Sequence, residues 1–236
     1  MERERIARVD LHSPRPSSAA VREMAEAART QYVLIQLTDN TVSLGYGAEQ
    51  RLLQVADSTG AVMVYADFYE TEEGQRAKHP VIDYQEGALR DDFDFGPLVL
   101  VRTDAILRCD LGGNWLYGGW YDLRLQLSRQ GAIFHLNEYL YTEEKQPVSA
   151  EGERQFDYVD PRNRDVQVEM EQIVSEHLRA VGGLVHTDRY QKPDVAGHGL
   201  RHHPRAQPRQ DHRRRGEVGL GTGDWLRLQR PRGGQP

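Results

Sequence analysis

Apolar residues fall in short runs separated by polar breaks through the first two-thirds of the chain. Their spacing alternates between the helical and the strand period. Ser17 and Ser18 offer an N-cap, and Ala19 to Arg29 is built from strong helix formers. Tyr32-Val-Leu-Ile-Gln-Leu37 reads as a short buried strand, broken by the turn residues Thr38 to Thr41. Ala48 to Ala56 puts Leu52, Leu53, Val55 and Ala56 on an apolar helical face, and Gly60 ends the segment. Ala61-Val-Met-Val-Tyr65 reads as a second buried strand, ending in Ala66-Asp67-Phe-Tyr-Glu70. A polar excursion follows at Thr71–His79, and Pro97 to Val101 reads as a further strand. Gly118 to Gln130 fits a strand by alternation or a helix stopped by Gly131, and helix is the favoured reading. Ala132 to Tyr141 is strand-like. From Arg162 to Val181, residues Val166, Met170, Ile173, Val174, His177, Leu178 and Val181 share one face at 3.6 spacing. Gly182-Gly183 supplies the stop.

Helix, strand, helix, strand is the signature of a sheet covered by crossover helices, so the pattern predicts an α/β fold. Residues 1–16, charged and Pro-containing, read as a flexible lead-in. The folded domain is expected over 17–185, with a linker at 186–198.

Composition divides the chain. It has 236 residues, 38% hydrophobic, with a formal net charge of −6. No apolar run is long enough to cross a membrane. Cys109 is the single cysteine, which excludes a disulfide scaffold and suits a reducing, cytoplasmic setting. Residues 201–236 hold nine Arg and three acids, a net of +6, so the remaining 200 residues carry −12. Only six of those last 36 residues are apolar, against ten Gly or Pro, too few to offset the entropy of ordering them. Residues 199–236 are therefore expected to be a disordered basic tail.

Four stretches in order carry a family resemblance. They are Tyr32-Val-Leu-Ile-Gln-Leu-Thr-Asp-Asn40, Ala61-Val-Met-Val-Tyr-Ala-Asp67, Gly118-Gly-Trp-Tyr-Asp-Leu-Arg-Leu-Gln-Leu127 and Ile133-Phe-His-Leu-Asn-Glu-Tyr-Leu-Tyr141. They resemble glycosyltransferase family 2, with its GT-A fold, over roughly residues 17–198. His79 to Phe93 and Phe156-Asp-Tyr-Val-Asp-Pro161 are similar to a bacterial subgroup of that family. The resemblance implies a Rossmann-like mixed sheet with flanking helices. It implies an enzyme that transfers a sugar, with inversion, from a nucleotide diphosphate sugar to a hydroxyl of a glycan acceptor. Nothing before Ser17 matches the family's opening nucleotide-binding strands, so the chain looks like a partial domain, a fragment of a larger transferase with activity of its own in question. The alternative is a non-catalytic sugar- or partner-binding module on the same scaffold.

Such chemistry needs a carboxylate to take the acceptor's proton, worth about 10² to 10⁴-fold, and a divalent cation, Mg²⁺ or Mn²⁺, at the departing diphosphate. The resemblance makes Asp122 the candidate general base, although the family's usual acidic pair aligns with Gly119-Trp120. The plainer reading of Asp122 is an acid favoured at a helix N-terminus. Asp39 lies where the second Asp of a DxD metal motif is expected, with Leu37 at the first; otherwise Asp39-Asn40 is an ordinary turn. Asp67 either contributes to a substrate pocket or simply ends a strand. Trp115, Tyr117 and Trp120, on a Gly-rich loop, could form a sugar platform or pack in the core. His135 reads as a satisfied core histidine, and Asp91, Asp92 and Asp94 as a solvated loop.

The tail has a second explanation. Read one base later, a His codon before a codon starting with C becomes Thr or Ile, and a Gln codon becomes Asn or Ser. His202-His203 and Gln207 then permit Val-Thr-Ile-Pro-Val-Leu-Asn-Arg over Arg201–Pro208, the opening of a second transferase domain of the same family. Residues from about 199 are thus read as a frameshift product. The other reading is a basic arm that binds phosphates without specificity. With Trp225 as its only aromatic, it indicates no specific nucleic-acid recognition.

Overall fold

A computed structural model describes residues 5–145 and 164–184. The Phe156–Pro161 stretch, the linker and the basic tail lie outside the described residues. The described elements are β1 (Ile6–Asp10), α1 (Ser18–Ala27), β2 (Tyr32–Gln36), β3 (Thr41–Leu44), α2 (Ala48–Thr59) and β4 (Met63–Glu72). They continue with β5 (Gln75–His79), β6 (Leu98–Arg102), α3 (Thr103–Leu107), α4 (Gly119–Ser128), β7 (Ile133–Glu144) and α5 (Arg164–Ala180).

The sheet is mixed, in the order β1-β2-β6-β4-β7-β3, with β5 hairpinned onto β4. β1 runs parallel to β2 and β7 parallel to β4, while β6 is antiparallel to both β2 and β4. This is the expected α/β class. The central strands show why the fold forms. In β2 (YVLIQ), β6 (LVLVR) and the first half of β4, consecutive residues are buried, so both sheet faces are covered. Each fully buried Val, Leu or Ile there contributes about 1.5–3 kcal/mol relative to exposure. Helices α1, α3 and α4 pack on one another, and α2 packs separately against β4 and β7.

Local signals set the helix limits. Ser17 caps α1, its hydroxyl accepting from the Ala20 N–H. Gly60 closes α2 at φ +67°, and Gly182 follows α5 at φ +72°, both left-handed positions suited to glycine.

Four expectations change. The lead-in 1–16 contains strand β1. It is an edge strand whose exposed positions are charged: Arg8 pairs with Glu49 of α2. The turn at 38–41 runs straight into β3, which pairs with the far end of β7. Asp67 does not end its strand, since β4 runs on to Glu72. The polar excursion 71–79 is a β-hairpin whose two turn residues, Glu73 and Gly74, both have positive φ. The helix at 118–130 forms as α4, and the 162–181 helix as α5.

Candidate active site

Asp122 sits in the first turn of α4, where an acid is favoured by the helix dipole. Its Oδ2 accepts from Trp115 Nε1 at 3.3 Å and its Oδ1 from Gln126 Nε2 at 3.2 Å. Gln126 is itself fixed: its Oε1 accepts from the Asp110 N–H at 2.7 Å and its Nε2 donates to the Asp110 carbonyl at 2.8 Å. Burial pushes the Asp122 carboxyl above its ordinary value, against the pull of its Gln126 and Trp115 hydrogen bonds. A carboxylate raised by burial and held by two long hydrogen bonds can take a further proton, which is what a general base requires.

Asp122 lines a polar pocket of about 130 Å³ with Asp110, Trp115, Gln126, Arg129, Glu176 and His177. The last two come from α5, whose Met170 and Ile173 pack on Tyr121 and Leu125 of α4. His177 is 7% exposed. Its Nδ1 has no hydrogen-bond partner among the described residues. Burial, with the nearby Arg129 and Arg124 guanidinium groups, holds this ring below the ordinary histidine value.

The Gly-rich loop before α4 is seated by two helices, α1 and α5. Arg22 of α1 donates to the Leu111 and Gly113 carbonyls at 3.0 and 2.6 Å. The Ser18 N–H donates to the Trp115 carbonyl, and the Ser18 hydroxyl accepts from the Trp115 N–H. From α5, the Glu169 carboxylate accepts the N–H groups of Leu116, Tyr117 and Gly118 at 2.9, 2.6 and 2.6 Å. A Cβ on Gly119 would lie 2.4 Å from Ser17 and Ser18 backbone atoms, and one on Gly118 would lie 2.2 Å from Ile173 Cδ1. Glycine there lets α1 and α5 close on the loop.

The three aromatics separate. Trp115 lines the Asp122 pocket, whereas Tyr117, 40% exposed, is not among the residues that line it. Trp120 is 8% exposed and packs edge-on against Phe95 in the core, which leaves no ring face for a sugar.

Asp67 is placed elsewhere, inside the sheet. Its Oδ1 accepts from the Val81 N–H and faces His135 Nε2, both at 2.9 Å. His135 Nδ1 faces Asp83 Oδ1 at 2.7 Å, and Tyr65 stacks on the ring at 5.0 Å. The pair adjoins an irregularity in the β4–β7 register between Ala66 and Phe68. His135 is the satisfied histidine the sequence suggests. Asp67 is its partner and has no opening to solvent.

Asp39 follows β2 on a turn held by Glu143, which accepts from Thr38 Oγ1 and Asn40 Nδ2. The Asp39 side chain is 73% exposed, with His12 Nδ1 at 3.9 Å. Among the described residues no group of three or more His, Cys, Asp or Glu is placed to hold a metal ion. The position of Leu37 is filled by a buried core side chain. Asp39 alone does not fit a protein-built metal site. Asp92 pairs with Arg90 and Asp94 with His79 on the exposed surface. Cys109 Sγ donates to the Ala105 carbonyl, and burial pushes its thiol up to about 11, too high for a nucleophile at neutral pH.

A larger groove, about 790 Å³, lies away from these residues, between the ends of α1 and α2 and the start of α3. Its acids are already committed: Asp57 to Arg5 and Tyr32, Asp104 to Arg102 and Arg108. The smaller pocket is therefore the better candidate, because its acid Asp122 is held only by two long hydrogen bonds from neutral groups and by no ion pair among the described residues.

No protein-family model matches the chain, and no curated protein matches it. No helix among the described residues is long and apolar enough to cross a membrane.

Sequence reasoning missed Glu169 and Gln126, which position the loop and the carboxylate. The Glu169 pairings reach the loop from another helix and leave no local signal, whereas Gln126 lies four residues after Asp122 on α4, an i,i+4 spacing that could have pointed to it. His177 carried a signal: a titratable residue within the apolar stripe of α5.

Proposed function

We propose that this chain is a glycosyltransferase-type domain with a GT-A-like fold. It moves a sugar, with inversion, from a nucleotide diphosphate sugar to a hydroxyl of a glycan acceptor, with Asp122 as general base. The observation that carries the reading is the Asp122 carboxylate, raised by burial, beside an indole in a polar pocket. The mixed α/β sheet is compatible with it. In this reaction the acceptor hydroxyl donates to Asp122, and its oxygen attacks the anomeric carbon as the bond to the diphosphate breaks. The proton passes to Asp122 and the diphosphate leaves with the bonding electrons. Trp115 and Tyr117 supply the aromatic contacts for sugar faces. No step runs through a metal ion. A dependence on Mg²⁺ or Mn²⁺ is read by adding EDTA to the assay. The proposed setting is the cytoplasm, where nucleotide sugars and a reduced Cys109 are compatible.

The test is transfer and donor hydrolysis by the full chain with UDP- and GDP-sugars. Asp122→Asn is expected to lower kcat at least 100-fold. An unchanged rate would remove the assignment. A second reading, a sugar-binding module without catalysis, is favoured by the isolated, exposed Asp39. Calorimetry separates the two: glycan binding without nucleotide binding supports the module.

A further inference from the structure

The Asp122 pocket shares Gln126 and Arg129 with a second pocket, of about 300 Å³, whose other lining residues are Arg108 and Gln130. Charge is divided between the two. The first holds the carboxylates of Asp110, Asp122 and Glu176 against Arg129, whereas the second is lined by two guanidinium groups, two amides and no acid. Arg108 is fixed: its Nε donates to Gln130 Oε1 at 2.9 Å and its Nη1 to Asp104 Oδ2 at 2.7 Å. Asp104 also pairs with Arg102, so this cluster of three keeps a net positive charge. Gln130 is held in turn by the Ala105 carbonyl and Cys109 Sγ. The Arg129 guanidinium forms no hydrogen bond or ion pair among the described residues. Both arginines stand at helix C-caps, where the carbonyl ends favour a cation. The dipoles account for a cation at each end, but not for two that line one pocket without an acid. A guanidinium is a rigid fork of donors that matches phosphate oxygens. Two of them, in a pocket at the low end of the ligand-sized range, suit a small oxyanion of more than one charge.

We propose that the Arg108–Arg129 pocket binds a diphosphate group. Asp39 alone offers no protein-built metal site among the described residues. In the reading of Asp122 as general base, the two arginines take the charge of the departing diphosphate. The spacing agrees with that role. Asp122 and Arg129 are seven residues apart along α4, about 10 Å at 1.5 Å per residue. In an inverting transfer the base and the leaving group lie on opposite sides of the anomeric carbon. About 3 Å separates the base from the acceptor oxygen and about 3 Å more separates that oxygen from the anomeric carbon. Two covalent bonds then lead to the phosphorus, roughly 8–9 Å from the base. The place of this pocket in the transfer rests on the Asp122 reading; diphosphate binding itself does not.

The experiment is a titration of the full chain with inorganic pyrophosphate in EDTA, read by ¹H–¹⁵N NMR of the arginine Nε–Hε groups. The Arg108 and Arg129 signals are expected to shift saturably. Arg76, an exposed arginine on the ring of Tyr69, is expected to stay still. Arg129→Gln, at an exposed C-cap, should keep the fold and weaken pyrophosphate binding at least tenfold. Inorganic phosphate, too short for both guanidinium groups, should bind at least tenfold more weakly than pyrophosphate. UDP, which carries the same group on a nucleoside, should shift the same two arginines. Pyrophosphate binding that requires Mg²⁺, equal affinities for phosphate and pyrophosphate, or an Arg76→Gln variant weakened as much as Arg129→Gln would each overturn the inference. If pyrophosphate leaves both arginines unmoved while Asp122→Asn still loses turnover, the inference falls and the base reading stands. Saturable shifts with turnover unaffected by Asp122→Asn would support the diphosphate pocket and remove the base.

Discussion

The segment from Pro80 to Pro97 and the pocket between α4 and α5 differ in how fully their polar groups are paired. The segment is long for a connection without regular structure, yet many of its groups are anchored, the buried Tyr84 hydroxyl being one that has no hydrogen-bond partner among the described residues. The Val81 N–H goes to Asp67, the Ile82 carbonyl to Tyr65 and the Asp83 carboxylate to His135. The Ala88 and Arg90 carbonyls accept from Arg124, and the Leu89 carbonyl from the Tyr121 hydroxyl. Asp94 then reaches His79, whose other nitrogen faces Glu70 of β4. Both histidines lie between two carboxylates, which only accept, and each is stacked on an aromatic ring. Around the pocket Gln126 and Asp110 pair with each other, but Asp122 has only long bonds and His177 Nδ1 has no partner among the described residues. A fully paired network rigidifies. An incompletely paired polar pocket offers its unused valences to a ligand. The Pro80–Pro97 segment is thus architectural, and the pocket is where the proposed chemistry would take place.

Arg124 gives the largest way to break this contrast. It is 1% exposed, is ringed by Tyr84, Phe95 and Tyr121, and donates to two carbonyls of the segment. Arg124→Ala removes its volume and leaves those carbonyls buried. We expect a loss of about 3–5 kcal/mol, measured by urea unfolding. A loss below 1 kcal/mol would mean that the segment is not held from α4. Asp67→Ala strips the Val81 N–H and His135 of their acceptor and should cost about 2–3 kcal/mol. Hydrogen exchange should then quicken at Val81. If the change instead left stability intact and abolished turnover, Asp67 would belong to the site.

Glu169→Ala is expected to cost about 1 kcal/mol, because its oxygens accept three loop N–H groups at the half-exposed N-terminus of α4. Exchange should accelerate at Leu116, Tyr117 and Gly118. Unchanged protection at those amides would contradict the seating of the loop by α5.

The smallest effect is in pH. His177 lies below its ordinary value, so the fold favours the neutral ring. That contribution is complete above the unfolded value of about 6.5 and is lost as pH falls through the folded value. Asp122 lies above its ordinary value, so the fold favours the neutral carboxyl. Its contribution is complete below about 3.9 and is lost as pH rises through the folded value. Helix α5 should therefore loosen on acidification below pH 6.5, seen as faster exchange in α5 amides. His177→Gln should remove that acid step. An acid step that persists in the variant would assign it to another group.

The sequence made parts of this legible for physical reasons. The buried strands β2, β4 and β6 announce themselves as apolar runs, and α5 by its 3.6-residue stripe. Edge strands do not: β1 carries Arg8 and Asp10, and β5 is a string of exposed polar residues. The turn that makes β5, Glu73-Gly74, lacks the Asn or Asp that usually marks a type I′ hairpin. The site was half legible. Asp122 and Trp115 lie seven residues apart, within reach of a local reading. The contribution of α5 arrives from some 50 residues away, and the Asp67–His135 pair is 68 residues apart in sequence. Trp120 shows the limit of composition: three aromatics on one loop take three different environments, decided by how glycines 118 and 119 let α1 and α5 approach.

The most direct test is a side-by-side comparison of turnover and stability for Asp122→Asn and His135→Gln in the full chain. The account predicts that Asp122→Asn loses at least 100-fold in kcat with its unfolding midpoint little changed. It predicts that His135→Gln keeps turnover within about threefold while its midpoint falls. The opposite pattern, turnover lost with His135 and kept without the Asp122 carboxylate, would contradict it.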